Sequence, residues 1–263
     1  MRTPISSNAN RRAILRFLAG GVLLATAARP SVAGTAKIDR LIAAVRGTSA
    51  VSERIAFISG ALKGTRYLAD TLVGGPRRPE RFVLYDDAFD CVTFCETVLA
   101  AAIADSPSGF PSALRFIRYH NGFISWRTRN HYFSEWARHN IESGICRPIE
   151  MDGAIRIEKD VFWHRALGRR HFSMIGVPRA AFWAGSAALQ KGDIIGFITR
   201  RPNLDYFHVG FIVFGENGEL LLRHASQRHR MVLDERMDDF MTANHVRHVT
   251  VLRPQRPAIA MAN

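Results

Sequence analysis

The chain has 263 residues, 47% of them hydrophobic and 22% charged, with a formal net charge of +13 at pH 7. That composition is ordinary for a globular protein, is sufficient for one sizeable core, and excludes a disordered chain. The basic charge favours acidic partners, but no recognition helix, zinc finger or stacking-aromatic pattern accompanies it, so nucleic acid is not expected among them.

Residues 1–33 read as an export signal. Arg11-Arg12-Ala13-Ile14-Leu15 forms a positive n-region, and Phe17 to Ala28 a short apolar h-region. Ser31-Val32-Ala33 offers small residues for cleavage before Gly34. The h-region is too short, and too broken by Gly20 and Gly21, to span a bilayer. The paired arginines fit twin-arginine export, whereas Asn10 stands where Ser or Thr is usual, so both that route and the Sec route stay open. No cysteine sits at the cleavage point, which argues against a lipoprotein. Arg2, Arg11, Arg12, Arg16 and Arg29 leave with this segment and no acid does, so the charge falls from +13 to +8. Residues 34–263 then read as a single domain, exported to the periplasm and without a membrane span.

Ile38, Leu41, Ile42 and Val45 follow helical spacing, with Gly47-Thr48-Ser49 as a stop. A second helix is expected from Ser52 to Leu62. Gly74-Gly75-Pro76 and the basic run to Arg81 suggest a loop, and Phe82 to Tyr85 a short strand. Asp90 is placed to cap a helix whose buried stripe is Val92, Cys95, Val98, Leu99, Ala102 and Ile103. Ser106 to Gly109 closes it. Further helices are expected over Ser112–His120 and Tyr132–Asn140. From Ile149 onward the texture changes to strands and turns. Lys191-Gly192-Asp193 leads into a strand over Ile194–Ile198. His208–Phe214 and Leu220–Ala225 form a hairpin about Glu216-Asn217-Gly218. A helix near Asp234–Met241 and a strand over His248–Leu252 finish the chain. Helices first and antiparallel strands second make an α+β fold.

The chemistry concentrates on Cys91, in the first turn of the Asp90-capped helix. A thiol at a helix N-terminus gains from the partial positive charge there, which favours thiolate. His208, on a strand, supplies a general base. His224, on the next antiparallel strand, can meet His208 on one face and orient it. The competing reading makes Cys91 a buried structural thiol and His208 a satisfied core histidine. There is no His-Glu-x-x-His, and the cysteine spacing is not that of a zinc site, so neither metal nor cofactor is expected. Cys95 either pairs with Cys146, leaving Cys91 free, or all three thiols are reduced.

Several motifs resemble one family. Gly192-Asp193-Ile194-Ile195-Gly196-Phe197, His208-Val209-Gly210-Phe211 and His224-Ala225-Ser226 look like the NlpC-type papain-like cell-wall hydrolases. Gly64-Thr65-Arg66-Tyr67, Asp90-Cys91-Val92-Thr93-Phe94-Cys95-Glu96, Arg129-Asn130-His131-Tyr132-Phe133-Ser134-Glu135-Trp136 and Leu204-Asp205-Tyr206-Phe207-His208-Val209-Gly210 are similar to a narrower branch, the N-acetylmuramoyl-L-alanine amidase-like family. The resemblance covers roughly residues 36 to 253, nearly the whole chain after the export segment. The resemblance implies a papain-like (NlpC-type) fold and an exported cysteine amidase. Its substrate would be peptidoglycan or a muropeptide, cut between the muramyl lactyl group and L-alanine, with Cys91 as nucleophile, His208 as base and His224 as orienter. An endopeptidase of the same fold, a non-catalytic wall-binding module and an acyl transferase are the rivals. Arg129, His131, Tyr132, Trp136 and Asp205 are the substrate-side candidates, since an arginine fork matches carboxylates and aromatics stack on sugars. Tyr85 is a candidate for the oxyanion. Two positions depart from the family: Arg66 stands where proline is usual, and Cys95 where a small apolar residue is common.

Overall fold

The computed structural model describes residues 35–257; the expected export segment, residues 1–33, lies outside them. Two helices come first, α1 (Ala36–Ala44) and α2 (Val51–Ala61). Each buries an apolar stripe at helical spacing, Ile38 and Ile42 from one and Ile55 and Ile58 from the other. Short strands follow: β1 (Arg66–Tyr67), β2 (Val73–Gly75), β3 (Arg78–Arg81) and β4 (Ala88–Phe89). Here the expectation is corrected. The Gly74–Arg81 run is a β2–β3 hairpin, and Phe82–Tyr85 is extended chain outside any sheet. A side chain holds that segment instead, because Arg118 Nη1 donates to Val83 O at 2.9 Å.

Helix α3 (Cys91–Ile103) is buried at every position from Thr93 to Ile103, the mark of a helix packed on all sides. Helices α4 (Phe110–Arg118) and α5 (Phe133–Glu142) complete its layer. A buried ion pair, Arg118 Nε to Glu96 Oε2 at 2.8 Å, ties α4 to α3.

The remaining elements are β5 (Cys146–Pro148), β6 (Ile155–Val161), β7 (Arg170–Pro178), α6 (Arg179–Ala184), β8 (Ile194–Ile198), β9 (Tyr206–Phe214), β10 (Leu220–Ser226), β11 (Met231–Arg236), α7 (Met237–Ala243) and β12 (His248–Pro254). The main sheet runs β4-β1-β11-β10-β9-β8-β12-β7-β6, with β5 also on β12. Its pairings are antiparallel except for β1 with β4. The architecture is α+β, as expected. The last helix starts later than its sequence suggests, at Met237, because Asp234 belongs to β11. There it faces Arg223 of β10 and takes Nε and Nη2 at 2.6 and 2.8 Å.

Alternation along the central strands feeds two cores. Ile194, Val209, Phe211 and Ala225 join the core of α1 to α5. Ile195, Phe197, Ile212 and Leu222 join the core beneath α6 and α7. The Gly192-Asp193 turn locks the middle of this sheet. Gly192 has φ +87°, and a Cβ there would meet the Ser52 backbone at 3.2 Å. Asp193 is 1% exposed and accepts from Arg253 Nε and Nη2, both at 2.8 Å, which joins the start of β8 to β12. Cys91, Cys95 and Cys146 are all free thiols, the reduced arrangement of the two that the sequence leaves open.

Candidate active site

The first turn of α3 is built around Asp90. Its Oδ1 accepts from the Thr93 N–H at 2.7 Å, and Thr93 Oγ1 accepts from the Asp90 N–H at 3.0 Å, a reciprocal capping box. This fixes Cys91 at the first helical position, half-buried. The N–H groups of Val209 on β9 (the residue after His208), Val92 and Cys91 are near enough to the sulfur to favour its charged form.

His208 and His224 sit on neighbouring strands of the sheet. His208 Nε2 and His224 Nδ1 are 2.6 Å apart, with the rings nearly perpendicular at 88°. Phe240 of α7 packs against both imidazoles, at 5.3 and 5.4 Å between centroids. Gly210 makes room for the pair: a Cβ there would lie 2.9 Å from Arg223 O and 3.0 Å from His224 Cβ. Because His208 spends Nε2 on its neighbour, its Nδ1 is the nitrogen left to act on a substrate or thiol.

Burial dominates the protonation of these groups. It pushes the Cys91 thiol up to about 12, with the Asp90 charge adding to the rise and the surrounding N–H groups opposing it. Burial, then the neighbouring His224, holds His208 well below the usual imidazole range. Burial, then His229, lowers His224 to about 4. The expectation that the helix terminus favours thiolate is therefore corrected. Desolvation of the sulfur outweighs the helix N–H groups, and the resting state is neutral thiol with neutral imidazoles.

The substrate-side candidates each have a partner within the fold. Arg129 is paired with Glu80 at 3.1 Å, and Glu80 also accepts from Tyr119 OH at 2.8 Å. Asp205, 1% exposed, caps α5 by accepting from the Ser134 N–H at 2.7 Å. Trp136, 1% exposed, stacks on Phe133 inside the core. Tyr132 is buried, and its hydroxyl accepts from the Trp163 N–H at 3.1 Å. His131 bonds the Trp126 carbonyl at 2.6 Å and lies among Trp126 and Trp163, where burial first of all lowers it to about 4. Trp136, Tyr132 and Asp205 belong to the framework, whereas Arg129 and His131 line a shallow cavity of about 250 Å³ together with Glu135 and Arg170.

The model of the AmiA-like, N-acetylmuramoyl-L-alanine amidase-like family matches residues 57–249. The chain belongs to that family. No curated protein matches the sequence. Among solved structures, a Legionella pneumophila protein of family DUF1460 aligns with a TM-score of 0.74 at 23% identity, over 85% of this chain and 95% of that one. An N-acetylmuramoyl-L-alanine amidase from Bacteroides uniformis aligns with a TM-score of 0.68 at 23% identity, over 78% of this chain and 99% of its own. A Bacteroides fragilis protein provisionally described as a xylanase shares the fold too, at 22% identity and a TM-score of 0.65, over 74% of this chain and 98% of that one.

Within this amidase-like fold the sequence reading missed one side chain near the thiol. Tyr85, the candidate for the oxyanion, has Arg118 and Asp87 as its charged neighbours. Tyr67 is the tyrosine near Cys91: burial raises it to about 12, and Cys91 and Asp90 add to the rise. The Gly64-Thr65-Arg66-Tyr67 motif was the available signal. Tyr67 N–H donates to Arg230 O at 2.8 Å, which fastens β1 to the β10–β11 turn. That turn carries exposed Arg228, His229 and Arg230, and among the described residues neither arginine has an ion-pair partner.

Proposed function

We propose that this protein is an exported cysteine amidase of the papain-like, NlpC-type kind, which hydrolyses the bond between the muramyl lactyl group and L-alanine in peptidoglycan or its fragments. The observation that carries the reading is the 2.6 Å pairing of His224 with His208 on strand β9, where the N–H of the next residue, Val209, lies near the Cys91 sulfur. Family membership supplies the class of bond.

In this reading His208 Nδ1 takes the Cys91 proton as the sulfur attacks the lactyl carbonyl. Because thiol and imidazole rest neutral, proton transfer accompanies attack and does not precede it. The first-turn N–H groups of α3 stabilise the oxyanion, with the Tyr67 hydroxyl nearby. His208 then gives its proton to the leaving alanine nitrogen, releasing the peptide with a free amine. Water, deprotonated by His208, hydrolyses the muramoyl thioester and restores the thiol. The exposed Arg228 and Arg230 suit a stem peptide rich in carboxylates. Residues 1–33 would carry the enzyme across the membrane to that substrate.

The xylanase description of one structural neighbour would require two carboxylates flanking a glycosidic bond. Asp90, the carboxylate beside the thiol, is committed to capping α3. The test is incubation of the protein with defined anhydro- and reducing-end muropeptides, followed by product masses. Free sugar plus intact peptide supports the amidase. A shortened stem peptide would instead make it an endopeptidase.

A further inference from the structure

His224 leaves one nitrogen unaccounted for. The residue is 2% exposed, and its Nδ1 faces His208. Its Nε2 is buried with no hydrogen bond, although Glu235 Oε2 lies only 3.3 Å away, off the line a hydrogen bond needs. Register puts the carboxylate there. His224 pairs with Leu233 across β10 and β11, so Glu235, two residues on, is its diagonal neighbour on the same sheet face. Glu235 is 21% exposed in its side chain, and His224 is its one ion-pair contact among the described residues.

We propose that Glu235 is a positioning residue, the third member of the series His208–His224–Glu235, which sets the tautomer of both imidazoles. The inference rests on the cysteine-hydrolase reading above. A carboxylate beside Nε2 favours the His224 tautomer with its proton on Nε2, leaving Nδ1 as a lone pair. That lone pair can only accept, so His208 must carry its own proton on Nε2. His208 Nδ1 is then free to receive the Cys91 proton. When it does, the imidazolium keeps its Nε2–H···Nδ1 bond, and the Glu235 charge stabilises it through His224. Without Glu235 the relay loses its polarity. His224 can carry its proton on Nδ1 and donate to His208 Nε2, which puts the His208 proton on Nδ1, where it blocks the base.

The groups facing His224 are few. They are His208 from β9, Glu235 and the more distant Asp234 from β11, His229 from the turn, and the uncharged ring of Phe240 from α7. None but Glu235 offers a carboxylate to Nε2 within ion-pair distance.

The experiment uses histidine-labelled mature protein at pH 7.5 and two readouts that need no muropeptide. Long-range proton–nitrogen spectra report each tautomer, and mass spectrometry reports the rate at which iodoacetamide alkylates Cys91. In the wild type, both His208 and His224 are expected as Nε2–H tautomers. A wild-type His224 protonated on Nδ1 overturns the proposal before any variant is made. In Glu235→Leu, His224 shifts toward the Nδ1–H form and Cys91 alkylation slows about 10- to 100-fold, the scale of losing a partner that orients a metal-bound histidine. Glu235→Gln, which keeps an acceptor oxygen, recovers most of the rate. Wild-type tautomers and rate in the folded Leu variant would overturn the assignment. Muropeptide cleavage is then measured separately, with kcat falling and KM unchanged in Glu235→Leu. Absence of any cleavage alongside the expected tautomers would count against the amidase reading and not against the relay.

Discussion

The buried histidine pair makes stability depend on pH in a predictable direction. His224 titrates near 6.5 in an unfolded chain and near 4 in the folded protein, because folding buries it beside His208 and near His229. Between those values the unfolded chain binds a proton that the folded protein refuses, so stability is full above pH 6.5 and is lost as the pH falls toward 4. Each pH unit in that window is worth about 1.4 kcal/mol, so the imidazole costs about 3 kcal/mol across it. His224 is almost fully buried, so solvent screening takes little from that figure. The assay is urea unfolding at pH 7 and pH 4 of the wild type and of His224→Asn, which keeps a polar side chain but has no titrating group. Most other titrating groups are common to both proteins and cancel; His208, which His224 also holds down, adds to the difference in the same direction. The wild type should lose about 3 kcal/mol more than the variant on acidification. Equal losses in the two proteins would refute the claim that His224 is held neutral by burial.

Other outcomes follow from the same structure. Glu96→Gln should cost about 3–5 kcal/mol, read as a large fall in Tm, because it strands the buried Arg118 charge that also holds Val83 O. Gly210→Ala places a methyl 2.7 Å from Leu222 Cδ1 and 3.0 Å from His224 Cβ. It should cost about 1–3 kcal/mol in urea unfolding and lower kcat more than a stability loss explains, by displacing His224. Iodoacetamide applied to the folded protein should label Cys91 alone. Unfolding without reductant should expose three reactive thiols, since no disulfide is present.

The elements nearest the site were legible in the sequence, and for physical reasons. Asp90 followed by Thr93 and an apolar run announces a capped, buried helix. The alternation of β9 and β10 about Asn217-Gly218 announces a hairpin, which fixes that His208 and His224 are neighbours. The β2–β3 hairpin was hidden, because Arg, Pro and Gly there carry no alternation and the pairing is made by backbone alone. The start of α7 was misplaced because Asp234 reads as a helix-start acid, while its Arg223 partner lies on another strand. Tertiary burial accounts for the other differences. Trp136 and Asp205 have side chains suited to a substrate surface, yet local spacing does not reveal that the core takes both. A helix N-terminus lowers a thiol pKa in isolation, and only the packed strand β9 over Cys91 shows desolvation to be the larger effect. Glu235 was invisible for the same reason: its meaning depends on which His224 nitrogen the sheet leaves unbonded.

The measurement closest to the central claim is hydrolysis of an anhydro-muropeptide by the wild type and by Cys91→Ala at equal concentration, with matched Tm to show that both are folded. The account predicts sugar and intact peptide from the wild type and no product from the variant. Full cleavage by Cys91→Ala would contradict it.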